Sequence, residues 1–584
     1  MLPVLWTGRR NETVDDYSGV LVALEDAHPH SHSYRLGRRA GFDDSSDDES
    51  ASDDGSGGGG KAGGDDEGTA MLEMSVPEYS IEGLRREVRR GGKGEKWTDY
   101  EMKSKLINKA IQDIGMGRYN WQLFVLCGFG WCADNLWMQG VSLTLPSLSA
   151  EFGISEKSVR YTASSMFVGL CLGSFFWGLG SDIMGRRIAF NATLLITSVF
   201  GIASAFASTW GGVCVLYAAM GFGVGGNLPV DGALFLEFLP DASSSLLTLL
   251  SVWWPIGQLS SSLFAWLFIA NWPADKGWRY FIMTIGIITF AMFIVRFFVF
   301  HLFESPKYLL SRGRQAEAVA VVHGIASRNG RKTWLTEEIL NAVVDDSAPR
   351  LTRRLSTTNI LRNRLADFSG DRIRPLFKTY KLGLATAIIW FCWATIGMGY
   401  PLFNAFLPQY LSHGGSNAPS TPDATAPSLT AETYRNYAIT SIVGVPGSLL
   451  AAYTVDMKSP FLGRRGTLAI STLVSAVFLF LFVRLGTSPG TQLAFSCVEA
   501  FSQNIMYGVL YAFTPEIFPA PVRGAGTGVA SFLNRVMGLL APVLAATIPG
   551  DGTTTPVYLS AVLILAAFVG MCLIPIETRG RQRL

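Results

Sequence analysis

Charged residues are scarce in this chain. Asp, Glu, Lys and Arg make up 16% of its 584 residues, whereas hydrophobic residues make up 49%. A soluble domain carries roughly 25% charged residues. A protein embedded in a lipid bilayer is the simpler explanation of this composition.

Cysteine patterns and nucleotide-binding patterns are missing too. The seven cysteines fall in or beside apolar stretches rather than at regular spacings, so we predict neither disulfides nor a zinc site, and no other cofactor. No GxxxxGK[ST] pattern occurs, which argues against ATP-driven pumping. The apolar runs hold no nucleophile–base or metal-ligand cluster, so an enzyme is the least favoured class. The N-terminus has no cleavable signal pattern, and we expect the first apolar run to direct membrane insertion.

Long apolar runs recur along the chain. A hydrocarbon core about 30 Å thick needs about 20 apolar residues of helix. Twelve runs are candidates, centred near Phe129, Leu170, Ile196, Gly225, Gln258, Thr289, Thr395, Gly447, Val477, Met506, Leu539 and Ala566. The sequence therefore predicts an all-α membrane protein with twelve transmembrane helices.

The segments between these runs alternate in charge. Residues 186–187, 305–381 and 458–465 are basic, whereas the intervening turns are mostly neutral or mildly acidic. The positive-inside rule places the basic side in the cytoplasm, and an even number of spans then places both termini there. We take the plasma membrane as the default location, and a vacuolar membrane stays open.

Composition divides the chain into five predicted regions. Residues 1–117 form an acidic cytoplasmic tail, disordered over residues 1–96, that ends in a short amphipathic helix. Residues 118–303 and 380–576 form two six-helix bundles. Residues 304–379 are a basic cytoplasmic linker, and residues 577–584 are a cytoplasmic C-terminus. The tail is either a solvated extension or a phospho-acceptor segment.

An internal repeat relates the two bundles. The run GSFFWGLGSD (Gly173–Asp182) has a counterpart, GSLLAAYTVD (Gly447–Asp456), 274 residues later. The run EFLP (Glu237–Pro240) has a counterpart, EIFP (Glu516–Pro519), 279 residues later. Two halves of this kind are typical of secondary transporters that rock around a site at the membrane midplane.

Six motifs carry a resemblance to a known family. They are GLGSDIMGRR (Gly178–Arg187), GFGVGGNLPV (Gly221–Val230), GWRY (Gly277–Tyr280), ESPKYLLSRGR (Glu304–Arg314), EIFPAPVRG (Glu516–Gly524) and IETRGR (Ile576–Arg581). With these motifs the chain resembles the major facilitator superfamily, and within it the sugar-porter and synaptic-vesicle-glycoprotein-like branch that is related to organic-ion transporters. The resemblance covers about Tyr119–Arg583. It implies alternating access by a monomer that binds a small molecule and no nucleic acid.

The resemblance also implies a cytoplasmic gate of paired acids and arginines. It assigns to this gate Asp182, Arg186, Arg187, Glu237, Glu304, Asp456, Arg464, Arg465, Glu516, Arg523 and Glu577. The arginines are alternatively topology determinants only, and both roles can coexist. The chain departs from the family at one point. The family has an arginine after the E-x-x-P pattern of the fourth run, whereas here Pro240 is followed by Asp241 and no arginine.

Ionisable residues inside apolar runs cost at least ~2.5–3.5 kcal/mol each on insertion scales, so each invites a functional hypothesis. Asp134 lies midway along the first run, where related symporters carry a proton-binding aspartate. Those relatives hold an arginine twenty residues before the loop glutamate, and this chain has Tyr217 there. We therefore expect proton coupling through Asp134, tuned by Tyr217, with a purely structural acid as the alternative. Arg296 and Glu237 lie near the cytoplasmic interface, where we expect snorkelling or gate contacts.

Arg535 lies in the eleventh run. In related organic-ion transporters the corresponding position is basic in anion carriers and acidic in cation carriers. A guanidinium recognises a carboxylate bidentately, so Arg535 predicts an anionic substrate. The alternative is an internal salt bridge with Glu499 or Asp134.

Other polar and aromatic residues are expected to line the cavity. Glu499, Gln503 and Tyr507 share one face of the tenth run, although hydrogen bonding between helices is a rival role. The remaining candidates are Gln258 in the fifth run and Trp393, Tyr400 and Asn404 in the seventh.

The hexose pattern of the sugar porters is absent. The seventh run reads CWATIGMGYP and the tenth ends LYAFTPEIFP, without the family's Gln-Gln pair and tryptophan. We therefore predict a secondary transporter of a small carboxylate or organic anion, moved with a proton. A sugar or polyol carrier and a non-transporting receptor on the same fold are the alternatives.

Overall fold

The structure of the chain is a computed structural model. It describes residues 12–17, 19–27, 79–89, 99–240, 245–300, 302–344, 374–407, 410, 431–455, 463–518, 523–547 and 554–576. Within the described residues every long element is an α-helix, and twelve of these helices form the body of the protein.

We number these twelve helices in chain order. In the first half they are α1 (Arg118–Phe152), α2 (Tyr161–Met184), α3 (Arg186–Ser204), α4 (Trp210–Phe238), α5 (Trp253–Phe268) and α6 (Ala274–Ile294). In the second half they are α7 (Tyr380–Asn404), α8 (Ala431–Thr454), α9 (Arg464–Leu485), α10 (Pro489–Ile517), α11 (Arg523–Thr547) and α12 (Thr554–Leu573).

The two halves repeat one packing pattern. Helix α4 packs on α2 and α3, and α10 packs on α8 and α9 in the same way. Helix α1 packs on α5, and α7 packs on α11. The halves meet through α5 against α8 and α2 against α11, as the internal repeat predicts.

Eight of the described helices are long and apolar enough to cross a membrane by length and composition. Helices α1 and α10 fall outside that set and carry buried polar residues, among them Asp134 and Glu499. Helix α5 also falls outside it, because it has only 16 residues. The polar side chains of α1 and α10 lie inside the bundle, where they avoid lipid.

Short segments before α1 pack on the linker at the end of the bundle where α1 begins. Val22 N donates to Thr333 O (3.0 Å), and Trp334 Nε1 donates to the Asp113 carboxylate (2.8 Å). Arg85 donates to the Ala342 carbonyl at 2.6 Å. The shorter helices here are Ile81–Arg89, Asp99–Ile114, Pro306–Ser311, Gln315–Arg328 and Glu337–Val343.

The predicted disordered tail therefore does not hold for residues 12–17, 19–27 and 79–89. These segments bury apolar side chains, including Val20, Leu84 and Val88, against the linker helices. The sequence signal was weak because each apolar cluster is short, although Ile81, Leu84 and Val88 follow a helical spacing. The acidic run at 42–68 lies outside the described residues.

Glycines set the closest helix approach, between α2 and α4. A Cβ on Gly225 would lie 2.3 Å from the Leu170 backbone oxygen, and one on Gly221 would lie 2.4 Å from the Met166 backbone oxygen. The GFGVGG run therefore serves helix packing.

We predict that Gly225→Ala destabilises the protein by about 1–3 kcal/mol, because α2 and α4 must separate to admit the methyl group. Gly232→Ala on the same helix is the matched control, since no atom lies within 4 Å of its added Cβ. Thermal unfolding of both purified variants in detergent measures the difference. Equal melting temperatures would contradict this account of the α2–α4 contact.

Candidate functional site

A cavity of about 110 Å³ lies between the two halves. Both halves contribute to its wall. Its lining residues are Asp134, Asn135, Met138, Phe167, Leu170, Leu228, Trp254, Gln258, Gly397, Tyr400, Pro401, Gln503, Asn504, Tyr507, Tyr511, Asn534, Arg535 and Gly538. This is the arrangement of a midplane site shared by two repeats.

Asp134 is buried on the α1 side of this cavity and is held by α4. The amide Nδ2 of Asn227 donates to Asp134 Oδ1 at 2.9 Å and reaches the Gly130 carbonyl at 3.4 Å. Both side chains are at least 97% buried. Asn227 fixes the carboxyl group in place without adding a charge.

Tyr217 does not reach Asp134. Its hydroxyl lies 3.4 Å from the Thr144 hydroxyl. Thr144 is ten residues further along α1 than Asp134, which is about 15 Å at 1.5 Å per residue. Tyr217, twenty residues before Glu237 on α4, therefore lies well away from Asp134. The α4 residue that contacts Asp134 is Asn227.

Arg535 projects from α11 into the cavity. Among the described residues, no carboxylate oxygen lies within 4.0 Å of its guanidinium, and its Nε is buried without a hydrogen-bond partner. It interacts electrostatically with Asp134 without forming an ion pair. The internal salt bridge that the sequence left open is not formed in this conformation.

Amide side chains connect the helices around the cavity. Gln258 Nε2 donates to Asn135 Oδ1 at 3.2 Å and to the Tyr400 hydroxyl at 3.1 Å, which joins α5, α1 and α7. Asn404 Nδ2 donates to Gln503 Oε1 at 2.9 Å. Gln258, Tyr400 and Gln503 line the cavity, whereas Asn404 orients Gln503 from behind.

Aromatic rings separate the cavity from the end of the bundle that carries Arg186, which we call the basic end. Trp131 and Trp254 of the first half stack with ring centroids 4.7 Å apart, and Trp254 meets Tyr511 of the second half at 5.0 Å. Trp393 packs edge-on against Tyr511 at 4.8 Å. We call these four residues the aromatic floor.

Trp393 belongs to this floor and does not line the cavity. Its indole Nε1 donates to Thr514 Oγ1 at 2.8 Å, and the residue is 3% exposed. Tyr507, by contrast, lines the cavity and packs edge-on against Tyr400 at 5.3 Å.

Glu499 lies behind the cavity, between α10 and α9. Ser475 Oγ donates to its Oε1 at 3.3 Å, and its Oε2 is buried without a hydrogen-bond partner. Among the described residues no cation lies within 4.0 Å of it. Glu499 therefore faces the neighbouring helix α9, while Gln503 and Tyr507 face the cavity.

The two halves also touch at the end opposite the basic end. The Tyr437 hydroxyl donates to Gln139 Oε1 at 2.7 Å, and Arg160 Nη1 donates to the Ala545 carbonyl at 2.9 Å. The cavity thus lies between an aromatic contact on one side and polar contacts on the other.

The predicted gate residues of the first half come together at the basic end. Arg186 Nη2 lies 3.3 Å from Glu237 Oε1. Glu304 Oε1 accepts the backbone N–H groups of Arg186, Arg187 and Ser305 at 2.8, 3.3 and 3.1 Å, and so caps α3. Burial raises the pKa of Glu304, and these donors oppose that rise.

The second half repeats this cluster in part. Arg464 forms an ion pair with Glu516, as Arg186 does with Glu237. Arg465 Nη2 donates instead to the Cys572 carbonyl at 2.7 Å. The predicted gate positions whose side chains lie outside the described residues are Asp182, Asp456, Arg523 and Glu577.

Several site residues had not been predicted. Trp131, Trp254, Asn135 and Asn227 all lie in or beside the cavity. One signal was available for Asn227, since it stands four residues before Asp231 on α4 and therefore on the same face.

The comparisons with known proteins agree with this geometry. The sequence profile of the Major Facilitator Superfamily matches residues 125–461. The chain belongs to the Major Facilitator Superfamily. It is 43% identical over 496 residues to "MFS siderochrome iron transporter 1" of Ceriporiopsis subvermispora, a match that covers 83% of this chain and 92% of that protein.

The branch within the superfamily also agrees with the sequence motifs. This facilitator-superfamily chain is 28% identical to "Synaptic vesicle 2-related protein" of Bos taurus, over 82% of each protein. It shares the fold of the inward-open xylose transporter XylE from E. coli, with a TM-score of 0.58 and 17% identity over 80% of this chain and 98% of that one. The protein is therefore an all-α, multi-pass integral membrane transporter of this superfamily.

A buried ion pair stabilises the first half of the protein near the cavity. Arg296 Nη2 lies 2.7 Å from Asp231 Oδ2, and both side chains are fully buried. Arg296 also donates to the Leu126 and Phe190 carbonyls, each at 2.9 Å. The expectation that Arg296 snorkels to the interface is wrong, because a π-helix at Val295–Val299 lets it turn inward.

We predict that Arg296→Met destabilises the protein by about 3–5 kcal/mol, because it leaves the Asp231 carboxylate buried without a cation. The double variant Asp231→Asn, Arg296→Met should recover part of this loss, since neither side chain is then charged. Unfolding free energies of the purified variants in SDS titrations measure both effects. A single variant as stable as the wild type would show that the pair is not a brace.

Proposed function

We propose that this transporter moves a small organic anion, of the carboxylate class, together with a proton. The superfamily membership supports a transporter, and alternating access is part of the proposal. The observation that carries the substrate class is the Arg535 guanidinium, which lines the cavity and has no carboxylate oxygen within 4.0 Å among the described residues. A bound carboxylate would supply the missing counter-charge through bidentate hydrogen bonds.

The cavity size supports a small substrate. About 110 Å³ corresponds to roughly four water molecules at about 30 Å³ each. The cavity wall combines the Arg535 guanidinium with the amides of Asn135, Gln258 and Gln503. The rings of Tyr400 and Tyr507 complete it. An aromatic or short aliphatic carboxylate matches both the charge and the apolar surface.

The position of Asp134 suggests how a proton takes part. When ionised, Asp134 competes with an anionic substrate for the field of Arg535. When Asp134 carries a proton, this competition ends and Arg535 can bind the substrate. Binding of the anion and of the proton would then favour each other, as linkage requires. One proton and one monovalent anion would cross without net charge.

The siderochrome relative suggests a second candidate. The name of that relative states an iron-bound siderochrome as cargo. A ferric chelate surrounds its ion with ligand atoms on all sides, so it needs a larger space than this cavity offers. It would fit only in a conformation where the halves have parted. A sugar or polyol carrier and a non-transporting receptor on the same fold are the remaining candidates, and the ligand panel below separates them.

The topology and the gate belong to the same proposal. We place the basic end in the cytoplasm, with both termini there and the chain acting as a monomer in the plasma membrane. Residues 118–303 and 380–576 are then the two moving bundles, and residues 1–117, 304–379 and 577–584 are cytoplasmic. The pairs Arg186–Glu237 and Arg464–Glu516 would hold the cytoplasmic ends of each half in shape during the movement.

We expect Arg535→Gln to weaken carboxylate binding by roughly 10- to 150-fold, because a charged hydrogen bond contributes about 1.5–3 kcal/mol. The measurement is thermal stability of the purified protein against carboxylates, organic cations, sugars and a ferric siderochrome, at pH 5.5 and 7.5. A ligand at a hundred times its dissociation constant should add roughly 2.7 kcal/mol to the folded state.

Two variants control this experiment. Arg535→Lys keeps the charge and loses the bidentate geometry, so it should retain part of the affinity. Arg484→Gln removes an exposed arginine at the end of α9 and should change nothing. If sugars, cations or the siderochrome stabilise the wild type and carboxylates do not, the anion assignment fails. If no ligand does, the receptor function moves ahead.

We expect Asp134→Asn to separate binding from coupling, because an amide stands in for the protonated acid. In proteoliposomes this variant should still exchange substrate across the membrane. It should fail to accumulate substrate against a gradient when an inward proton gradient is applied, and its substrate affinity should no longer vary with pH. Proton-driven accumulation by this variant would show that Asp134 does not couple the proton to transport.

A further inference from the structure

A second cavity, of about 170 Å³, lies between α3 and the end of α6. It shares no lining residue with the central cavity. We call it the α3–α6 groove, and its lining residues are Arg187, Ile188, Asn191, Ala192, Leu195, Phe293, Phe297 and Phe298. At its edge Phe298 and Val299 are 56% and 75% exposed, so the groove opens on the perimeter of the bundle, where lipid lies.

The π-helix at Val295–Val299 shapes this groove. It turns Arg296 into the bundle, toward Asp231, and leaves the next two phenylalanines outside. Phe297 stacks on Phe293 at 5.6 Å and meets Phe298 edge-on at 4.8 Å. The result is a firm apolar wall that one hydrocarbon chain can cover.

A cation stands at the head of the groove. Among the described residues, no carboxylate oxygen lies within 4.0 Å of the Arg187 guanidinium. Glu304 interacts electrostatically with Arg187, and its Oε1 accepts the backbone N–H groups of Arg186, Arg187 and Ser305. Because Glu304 occupies the N-terminus of α3, the guanidinium is the group left to meet an anion.

An unsatisfied acceptor lies beside this cation. Asn191 is 8% exposed, and its Nδ2 donates to the Arg187 carbonyl at 3.0 Å. Its Oδ1 has no hydrogen-bond partner and no exposed surface, so it lies beneath the groove wall that Asn191 helps to form. A buried acceptor without a donor destabilises the folded state, so a ligand gains stability when the Asn191 side chain turns toward the groove and accepts an N–H or O–H group from it.

We propose that the α3–α6 groove binds one anionic glycerophospholipid from the leaflet at the basic end. The phosphate pairs with Arg187, a headgroup hydroxyl or ammonium group donates to Asn191 Oδ1, and one acyl chain covers Phe293 and Phe297. Basic pockets between transmembrane helices bind anionic headgroups in this way. The chemistry favours lipids that carry both a net negative charge and a donor, such as phosphatidylinositol or phosphatidylglycerol, over phosphatidylcholine.

The test is native mass spectrometry of the full-length protein in detergent, after delipidation, with defined lipids added. We expect phosphatidylinositol to add one equivalent at concentrations at least fivefold lower than phosphatidylcholine and to raise the melting temperature. Arg187→Gln should remove this preference. Arg484→Gln, at the exposed end of α9, should keep it.

A second variant and soluble ligands keep the result decisive. Asn191→Leu fills the acceptor position with a methyl branch and should lower the preference for phosphatidylinositol while anionic lipids still bind through Arg187. If Arg187→Gln binds phosphatidylinositol as the wild type does, the proposal is overturned. If inorganic phosphate or inositol phosphate displaces the lipid completely, the groove is an anion site and the acyl contact is wrong. Because lipid binding is read without transport, these outcomes do not depend on the proposed substrate.

Discussion

The ion pair between Arg296 and Asp231 is the contact on which the first half depends. It joins α6 to α4 at 2.7 Å with both side chains fully buried. In a bilayer neither charge has water to turn to, so each fixes the position of the other. Gly130 on α1 makes the pair possible, since a Cβ there would lie 1.8 Å from Asp231 Oδ2.

The position of Asp134 in the cavity depends on this ion pair. Asn227 stands one helical turn before Asp231 on α4, and Asp134 stands one turn beyond Gly130 on α1. The contact of Gly130 with Asp231 therefore sets the register in which Asn227 meets Asp134 at 2.9 Å. The buried charge pair and the carboxyl group that we propose as the proton carrier therefore lie on consecutive turns of one helix–helix contact.

Helix positions and the repeat could be predicted from the sequence, because apolar length and motif offsets report directly on membrane spans. Tyr217 shows where that reasoning stops. A fixed offset from Glu237 gives a position along α4, but the partner of Asp134 depends on which α4 residue faces α1 at that depth. Arg296 shows the same limit, because hydropathy places it at the interface and only the π-helix turns it inward.

Some of the cavity residues could be predicted from the sequence and others could not. Arg535, Gln258 and Gln503 could be predicted because polar residues in apolar runs stand out, whereas a buried tryptophan in a membrane helix is an ordinary core residue. The role of the aromatic floor comes from the contact of Trp131 and Trp254 with Tyr511 across the halves.

That floor constrains how the two halves can move. Access from the basic end requires Trp254 and Tyr511 to separate, and the lost ring contacts must be replaced by other contacts at the opposite end. Gln139–Tyr437 and Arg160–Ala545 already join the halves there. Because both halves contribute to the wall of one small cavity, a bound substrate that touches Tyr507 or Arg535 touches the second half directly. In the proposed mechanism, substrate binding therefore acts on the same surfaces that must part, which is the requirement for coupling a binding event to alternating access.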